Sequence, residues 1–521
     1  MRRFFLVLPF SLSLLIGACF APGGGATSDD DDDPASDDDD GWWDDDDAAD
    51  DDDAMSDDDD VTWDDDDDDD PTKEEEFETC DDADESVRTQ YVSADDSNSM
   101  GAAALRRSLL LDHERVNPGP AKAYEFLNYY EFDYAPAPAG TLSIVPELVE
   151  NPDVPGDYDM LVGLVSEEMP NSRRKPVNLV FSIDTSCSMQ NGGLQVGKAV
   201  MNTIAAGLDS GDVVSLVKWS DNSTVTLDSH MVGGPSDPLF LEEVAALSSS
   251  GSTNLDGGLA AAYTIANANH TMGRTSRVIL ISDGGANVGT TNADLIATNA
   301  EDGELEGIYL MGVGTPRATD YNGALMDSVT DLGRGAYLYV DSIAEAEARF
   351  AAERLPELLE VAARDVQLSI SLPPGFVVDD FSGEEISTEP GVVTPQHIAP
   401  NGRMLYDVDL LDCSIDASSA EYPITFSANW TDPLTGLETT KVEIFTVAEL
   451  LAAEHARLDK AGAIVAYAQA YSDIAGITGT SARRNYLEGV LAVVSAVADA
   501  QPDDQDLADI VDILTEWRAM Y

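Results

Sequence analysis

Three oxygen-bearing side chains stand at alternate positions in Asp184-Thr185-Ser186-Cys187-Ser188. A carboxylate and two hydroxyls on one short loop offer hard oxygen donors, the ligand type that small hard cations such as Mg²⁺ take. Two further stretches carry the same chemistry in order along the chain. Gly251-Ser252-Thr253-Asn254 places a hydroxyl in a glycine-rich loop, and Ile279-Leu280-Ile281-Ser282-Asp283-Gly284 ends an apolar run on an acid. Each stretch alone is a weak signal, since acids and serines are common turn residues.

The elements that must position these residues follow from periodicity. The apolar run Val177 to Ile183 suits a strand buried on both faces of a parallel sheet. Gly197, Val200, Met201, Ile204 and Leu208 then repeat at helical spacing. Asp184, Ser186 and Ser188 are thereby expected at the carboxyl end of a central strand, where open α/β sheets place their ligand sites.

Together the three stretches resemble the metal-ion-dependent adhesion site of von Willebrand factor type A domains. That resemblance implies a coordination shell of Asp184, Ser186, Ser188, Thr253 and Asp283, with the hydroxyls bonding directly and the acids partly through water. It implies Mg²⁺, or Mn²⁺ or Ca²⁺, with an open position that a carboxylate from a protein partner fills. Cys187 departs from the family, which usually has glycine there; a thiol is not a Mg²⁺ ligand.

The 521 residues allow two or three domains, and a net charge of -73, from 100 acids and 27 bases, excludes nucleic-acid binding on electrostatic grounds. Between Asp29 and Asp70 stand 28 aspartates and no base. Residues 20–98 read as a solvated acidic tether, because like charges at this density repel and bury too little apolar surface to offset chain entropy. Looser Ca²⁺ buffering and a surface-export signal are the sharper alternatives for the tract. Trp42, Trp43 and Trp63 within it are unexplained by a pure tether.

Ahead of the tether, Arg2-Arg3 and the apolar stretch from Phe4 to Gly17 form a signal-peptide pattern, too short to span a bilayer comfortably. Leu15-Ile16-Gly17-Ala18-Cys19 resembles a bacterial lipobox, which implies lipidation of Cys19 and attachment to a membrane of the cell envelope through lipid alone. Cys80, Cys187 and Cys413 remain; they allow at most one bridge, and their spacing does not choose it.

The expected fold is α/β: a doubly wound, mostly parallel sheet inserted in or followed by a β-sandwich, with a helical unit at the C-terminus. The type A domain is expected at residues 176–355. Alternating apolar residues from Arg364 to Val447, such as Val366, Leu368 and Ile370, read as the sandwich. Strands within residues 120–170 lack a core of their own and are expected to join it. The aromatic run Ala123 to Tyr134 resembles a segment preceding the type A domain in a family of bacterial envelope lipoproteins, as does the stretch from Tyr321 to Tyr337 the end of that domain. The density of the aromatic run argues for packing against a domain surface, and a small helix cap is the plainer and preferred reading. Residues 448–521 read as three alanine-rich helices that serve packing.

Enzyme readings fare poorly. His113, His230, His270, His397 and His455 are isolated, and no phosphate-binding glycine motif follows a strand. Metal-assisted protein binding is the leading class. A structural envelope protein with no metal-mediated partner is the first alternative, and a hydrolase the second.

Overall fold

The computed structural model describes residues 80, 86–94, 100–114, 116, 121–152, 154–284, 293–300, 307–316, 323–414 and 421–521. The lipobox with Cys19, the aspartate tracts and the three tryptophans among them lie outside the described residues.

Strand β1 (Arg88–Val92) comes first, followed by α1 (Met100–Arg106), α2 (Ala123–Tyr129), β2 (Ser143–Glu150) and β3 (Asp157–Val165). This corrects the tether boundary. Arg88–Val92 falls inside the expected 20–98 tether, yet it pairs antiparallel with a long strand of the sandwich, with Gln90 and Val92 turned into the interior. A five-residue alternation can form a strand once a partner supplies the ladder.

Next comes the α/β domain. It runs β4 (Val177–Asp184), α3 (Gly193–Ala206), β5 (Val213–Trp219), β6 (Ser223–Met231), α4 (Pro238–Ala246), α5 (Leu255–Ala268), β7 (Thr275–Ser282), α6 (Ala293–Ala300), β8 (Tyr309–Gly314), α7 (Gly323–Leu332), β9 (Tyr337–Tyr339), α8 (Ile343–Arg349) and α9 (Leu355–Leu359). The sheet order is β6-β5-β4-β7-β8-β9, parallel except for the antiparallel edge strand β6. Every residue of β4 and β7 is buried, as a sheet covered on both faces requires. Leu179, Phe181, Ile183, Ile279 and Ile281 share one core with Val200 and Ile204 of α3. Val180, Trp219, Val278 and Leu280 face the other way, toward Leu259 and Tyr263 of α5.

The chain then returns through β10 (Ala363–Leu372), β11 (Phe376–Phe381), β12 (Ile386–Ser387), β13 (Gln396–Ile398), β14 (Arg403–Asp412), β15 (Pro423–Thr431) and β16 (Glu438–Thr446). One sheet has the order β12-β1-β10-β15-β16, with β13 also on β10; the other is β11-β14-β3-β2. Both contribute to a common apolar core of residues such as Val162, Leu368, Phe376, Tyr406 and Phe426. Because β3 pairs with β14 along nine residues, the α/β domain is an insertion between two halves of this sandwich. Cys80 is bonded to Cys413, which ties the start of the described chain to the end of β14.

After α10 (Val447–Leu451) come three longer helices, α11 (Ala456–Asp473), α12 (Thr480–Ala500) and α13 (Gln505–Ala519). The aromatic run forms a short helix and packs against other elements, but more deeply than a small cap would. Phe126, Leu127, Tyr129, Tyr130 and Phe132 are buried, and Phe126 packs its ring edge-on to Tyr467 of α11 with centroids 5.4 Å apart. Glu131 within the run accepts from Arg354 (2.9 Å) of the α/β domain and Arg403 (3.3 Å) of the sandwich. The buried ammonium of Lys460 on α11 donates to the Glu131 carbonyl (2.7 Å) and to Asp504 and Asp506. The run thus joins all three parts, and the polar side chains of the tail close that joint.

Candidate metal centre

Asp184 is the last residue of β4, and Asp283 follows the last residue of β7; these parallel neighbours bring both acids to one sheet end, and both are fully buried. The Ser186 N–H donates to Asp184 Oδ1 (2.8 Å), folding the loop back over the strand end. Ser186 Oγ and Ser188 Oγ lie 2.9 Å apart, so alternate spacing places both hydroxyls on one side of the loop.

Thr253 arrives from a different loop, and backbone bonds fasten that loop to the first. Ser250 N–H donates to the Thr185 carbonyl (2.7 Å), and Cys187 N–H donates to the Gly251 carbonyl (3.1 Å). Gly251 has φ +83, and a Cβ there would stand 2.6 Å from Asp221 Oδ2. Left-handed backbone and close approach together require glycine. Asp221, after β5, accepts from Ser252 N–H (2.9 Å) and its hydroxyl (2.5 Å), which hold its carboxyl below the usual range. Asn254 caps α5 through Gly257 N–H (3.0 Å), so Thr253, 2% exposed, sits where the loop enters the helix.

Trp219 braces the floor. Its carbonyl accepts from Thr185 N–H (2.8 Å) and hydroxyl (2.9 Å), and its indole N–H donates to Ser182 Oγ (3.1 Å). Two supporting residues were not singled out from sequence. Ser282 donates to Asp184 Oδ2 (3.0 Å), and Asp221 grips the Thr253 loop. Their signals were a hydroxyl one residue before an acid and a Ser-Asp-Asn turn, both too common to stand out.

Burial, helped by the nearby charge of Asp283, pushes the Asp184 carboxyl up to about 6 against the bonds from Ser186 and Ser282. Two acids forced together out of water are costly unless a cation accompanies them. With the Ser186–Ser188 hydroxyl pair beside Asp184 and Thr253 on the loop fastened to theirs, the donor set fits a hard divalent ion. Among the described residues no group of three or more His, Cys, Asp or Glu is placed to hold a metal, so hydroxyl donors are essential to any such site here. Cys187, a free thiol, is exposed beside it.

Residues 179–286 match the family model for the von Willebrand factor type A domain. Over that stretch the chain is similar to type A domains. It is 31% identical over 217 residues to the uncharacterized protein YfbK of Escherichia coli (strain K12), covering 41% of this chain and 36% of that protein. It is 29% identical over 182 residues to inter-alpha-trypsin inhibitor heavy chain H3 of Mesocricetus auratus, covering 33% and 20%. The chain therefore spans about a third and a fifth of these relatives. Among solved structures, the von Willebrand factor type A protein from Catenulispora acidiphila aligns at 14% identity with a TM-score of 0.44, over 69% of this chain and 87% of that one.

Proposed function

We propose that the type A domain is a divalent-cation-dependent protein-binding module. Asp184, Ser186, Ser188, Thr253 and Asp283 would hold Mg²⁺, or Mn²⁺ or Ca²⁺, and the ion would bridge to a carboxylate of a protein partner. The observation that carries this reading is the convergence of two buried acids with the Ser186–Ser188 hydroxyl pair at the carboxyl end of the central strands. We further read Cys19 as a lipid attachment point in a bacterial envelope, with the acidic tract as spacer. Among the described residues no helix is long and apolar enough to cross a membrane.

Titration calorimetry with Mg²⁺ and Mn²⁺ on the wild type and on Ser186→Ala and Thr253→Ala tests the site. Heat of binding in the wild type and its loss in both variants are expected; unchanged affinity in both would sink the assignment. Capture of envelope proteins with and without chelator then tests the bridge. Detergent phase partitioning of Cys19→Ser against the wild type tests the anchor, and equal partition to the aqueous phase counts against it.

A further inference from the structure

Strand β16 ends its sheet, and among the described residues no strand pairs with its outer edge. Its ladder to β15 runs from Pro423↔Thr446 to Thr431↔Glu438 with no register shift, so the edge is long and regular. It is not shortened, and it carries no proline or bulge; the charges on its less exposed face, Lys441 and Glu443, are of opposite sign, so they oppose a foreign strand but can match a copy of themselves. Exposed apolar side chains are concentrated here: Leu434 (81%), Leu437 (65%), Val442 (50%) and Ile444 (61%) all belong to the β15–β16 hairpin.

We propose that β16 pairs antiparallel with β16 of a second copy of this chain, joining two sandwich sheets across a twofold axis. The register follows from the sequence of the strand. A two-fold continuation keeps the faces of the sheet in common, so opposed residues must lie on the same face of their strands. Setting Val442 opposite itself satisfies this and overlaps the whole strand, with Glu438 opposite Thr446. It also places Lys441 of each copy opposite Glu443 of the other, twice. Moving the centre to Lys441 or to Glu443, the adjacent allowed registers, sets like charges against each other at the axis, which is destabilising. On the outer face Val442 meets Val442, with Ile444 opposite Thr440 on either side. Lys441 and Glu443 already stand 3.4 Å apart within one strand and are each about a third exposed, so both are available to a neighbour.

The experiment is sedimentation equilibrium of the purified full chain in moderate salt, with unfolding curves to show that each variant folds. The wild type is expected to dimerise. K441E and E443K should each weaken the dimer by roughly tenfold or more, because each turns two attractive pairs into two repulsive ones. K441E/E443K should recover it by exchanging the charges. With a mild thiol oxidant added, V442C should give a 442-to-442 disulfide between copies, identified by peptide mapping apart from Cys187. A monomeric wild type overturns the proposal. So does a dimer that ignores K441E and E443K, a double variant as weak as the single ones, or a dimer in which V442C does not couple to itself. Protection of the β16 edge amides from exchange in a monomer would assign that edge to another segment of the same chain, and overturns it too.

Discussion

Replacing Asp184 with asparagine should make the metal-free protein more stable while removing its response to metal. The folded-state carboxyl titrates at about 6 against an ordinary value of 3.8, so the folded protein holds that proton more tightly than the unfolded chain does. The resulting stability is fully present below pH 3.8 and is lost as pH rises through about 6. At about 1.4 kcal/mol per unit, ionising Asp184 in the metal-free fold costs about 3 kcal/mol at neutral pH. Asparagine keeps the acceptor for Ser186 N–H and carries no charge. Against that stands the hydroxyl of Ser282, which now donates to Asp184 Oδ2 at 3.0 Å and accepts from Gly284 N–H at 3.2 Å. The new amide N–H₂ must instead donate to that oxygen, and a disturbed bond costs about 1 kcal/mol.

The net is a gain on the order of 1–2 kcal/mol near pH 7, or a few degrees in melting temperature for a domain of this size. The gain should disappear by pH 4, where the wild-type acid is protonated. With Mg²⁺ at a hundredfold excess over its Kd, the wild type should gain about 2.7 kcal/mol and the variant nothing. Thermal unfolding in chelator and in Mg²⁺, at pH 4 and pH 7, reads all four cases. A variant less stable than the wild type in chelator at pH 7, or one that keeps the Mg²⁺ shift, refutes the argument.

Gly258→Ala should destabilise the α/β domain by about 1–3 kcal/mol in denaturant melts, because its Cβ would stand 2.4 Å from the Trp219 ring. Metal affinity should fall with it, since Trp219 holds Thr185. Glu147→Ala should cost about 2–3 kcal/mol, because buried Glu147 accepts from Arg457 and from Leu458 N–H (3.0 Å) at the start of α11; limited proteolysis should then release the helical tail first. Removing the Cys80–Cys413 bond by Cys80→Ser should lower unfolding stability by about 2–5 kcal/mol, matched by reductant on the wild type. His397, held down to about 4 by burial, accepts from Asp365 N–H at Nδ1 and is neutral in the fold. Its contribution is present above pH 6.5 and lost as pH falls through 4, so His397→Asn should flatten the acid limb of the stability profile by up to about 3 kcal/mol.

The sequence showed most plainly what long apolar runs control. Val177 to Ile183 and Ile279 to Ile281 can only be strands buried on both faces, and an acid at the end of each brings Asp184 and Asp283 to one side of the sheet. Alternation likewise marked the strands around Val366 and Phe426. Other features depended on partners far along the chain. Arg88–Val92 is a strand because β10 lies beside it, and its polar neighbours hid it within an acidic stretch. Cys80 and Cys413 are separated by 333 residues, a closure that spacing alone cannot choose. Tyr129 and Tyr130 looked like surface cover because aromatic density does not show how many bodies a segment touches. Ser282 and Asp221 were missed because their work is to orient other residues, and such work leaves no pattern in residue type.

The charge of the chain bears on how the proposed bridge would act. An acidic partner approaching a molecule of net charge -73 meets long-range repulsion. The same field draws divalent cations toward the surface, and at the proposed site the buried pair Asp184 and Asp283 would replace their hydration with protein oxygens. Cation and carboxylate would therefore be linked more tightly here than on a neutral domain: without the ion, the proposed partner's acid would face two carboxylates and the surrounding field. Added monovalent salt would screen the long-range repulsion while leaving the short-range coordination largely intact. Chelation and salt would then act in opposite directions on capture, whereas an interface built on ordinary surface ion pairs would lose strength with salt and ignore the chelator.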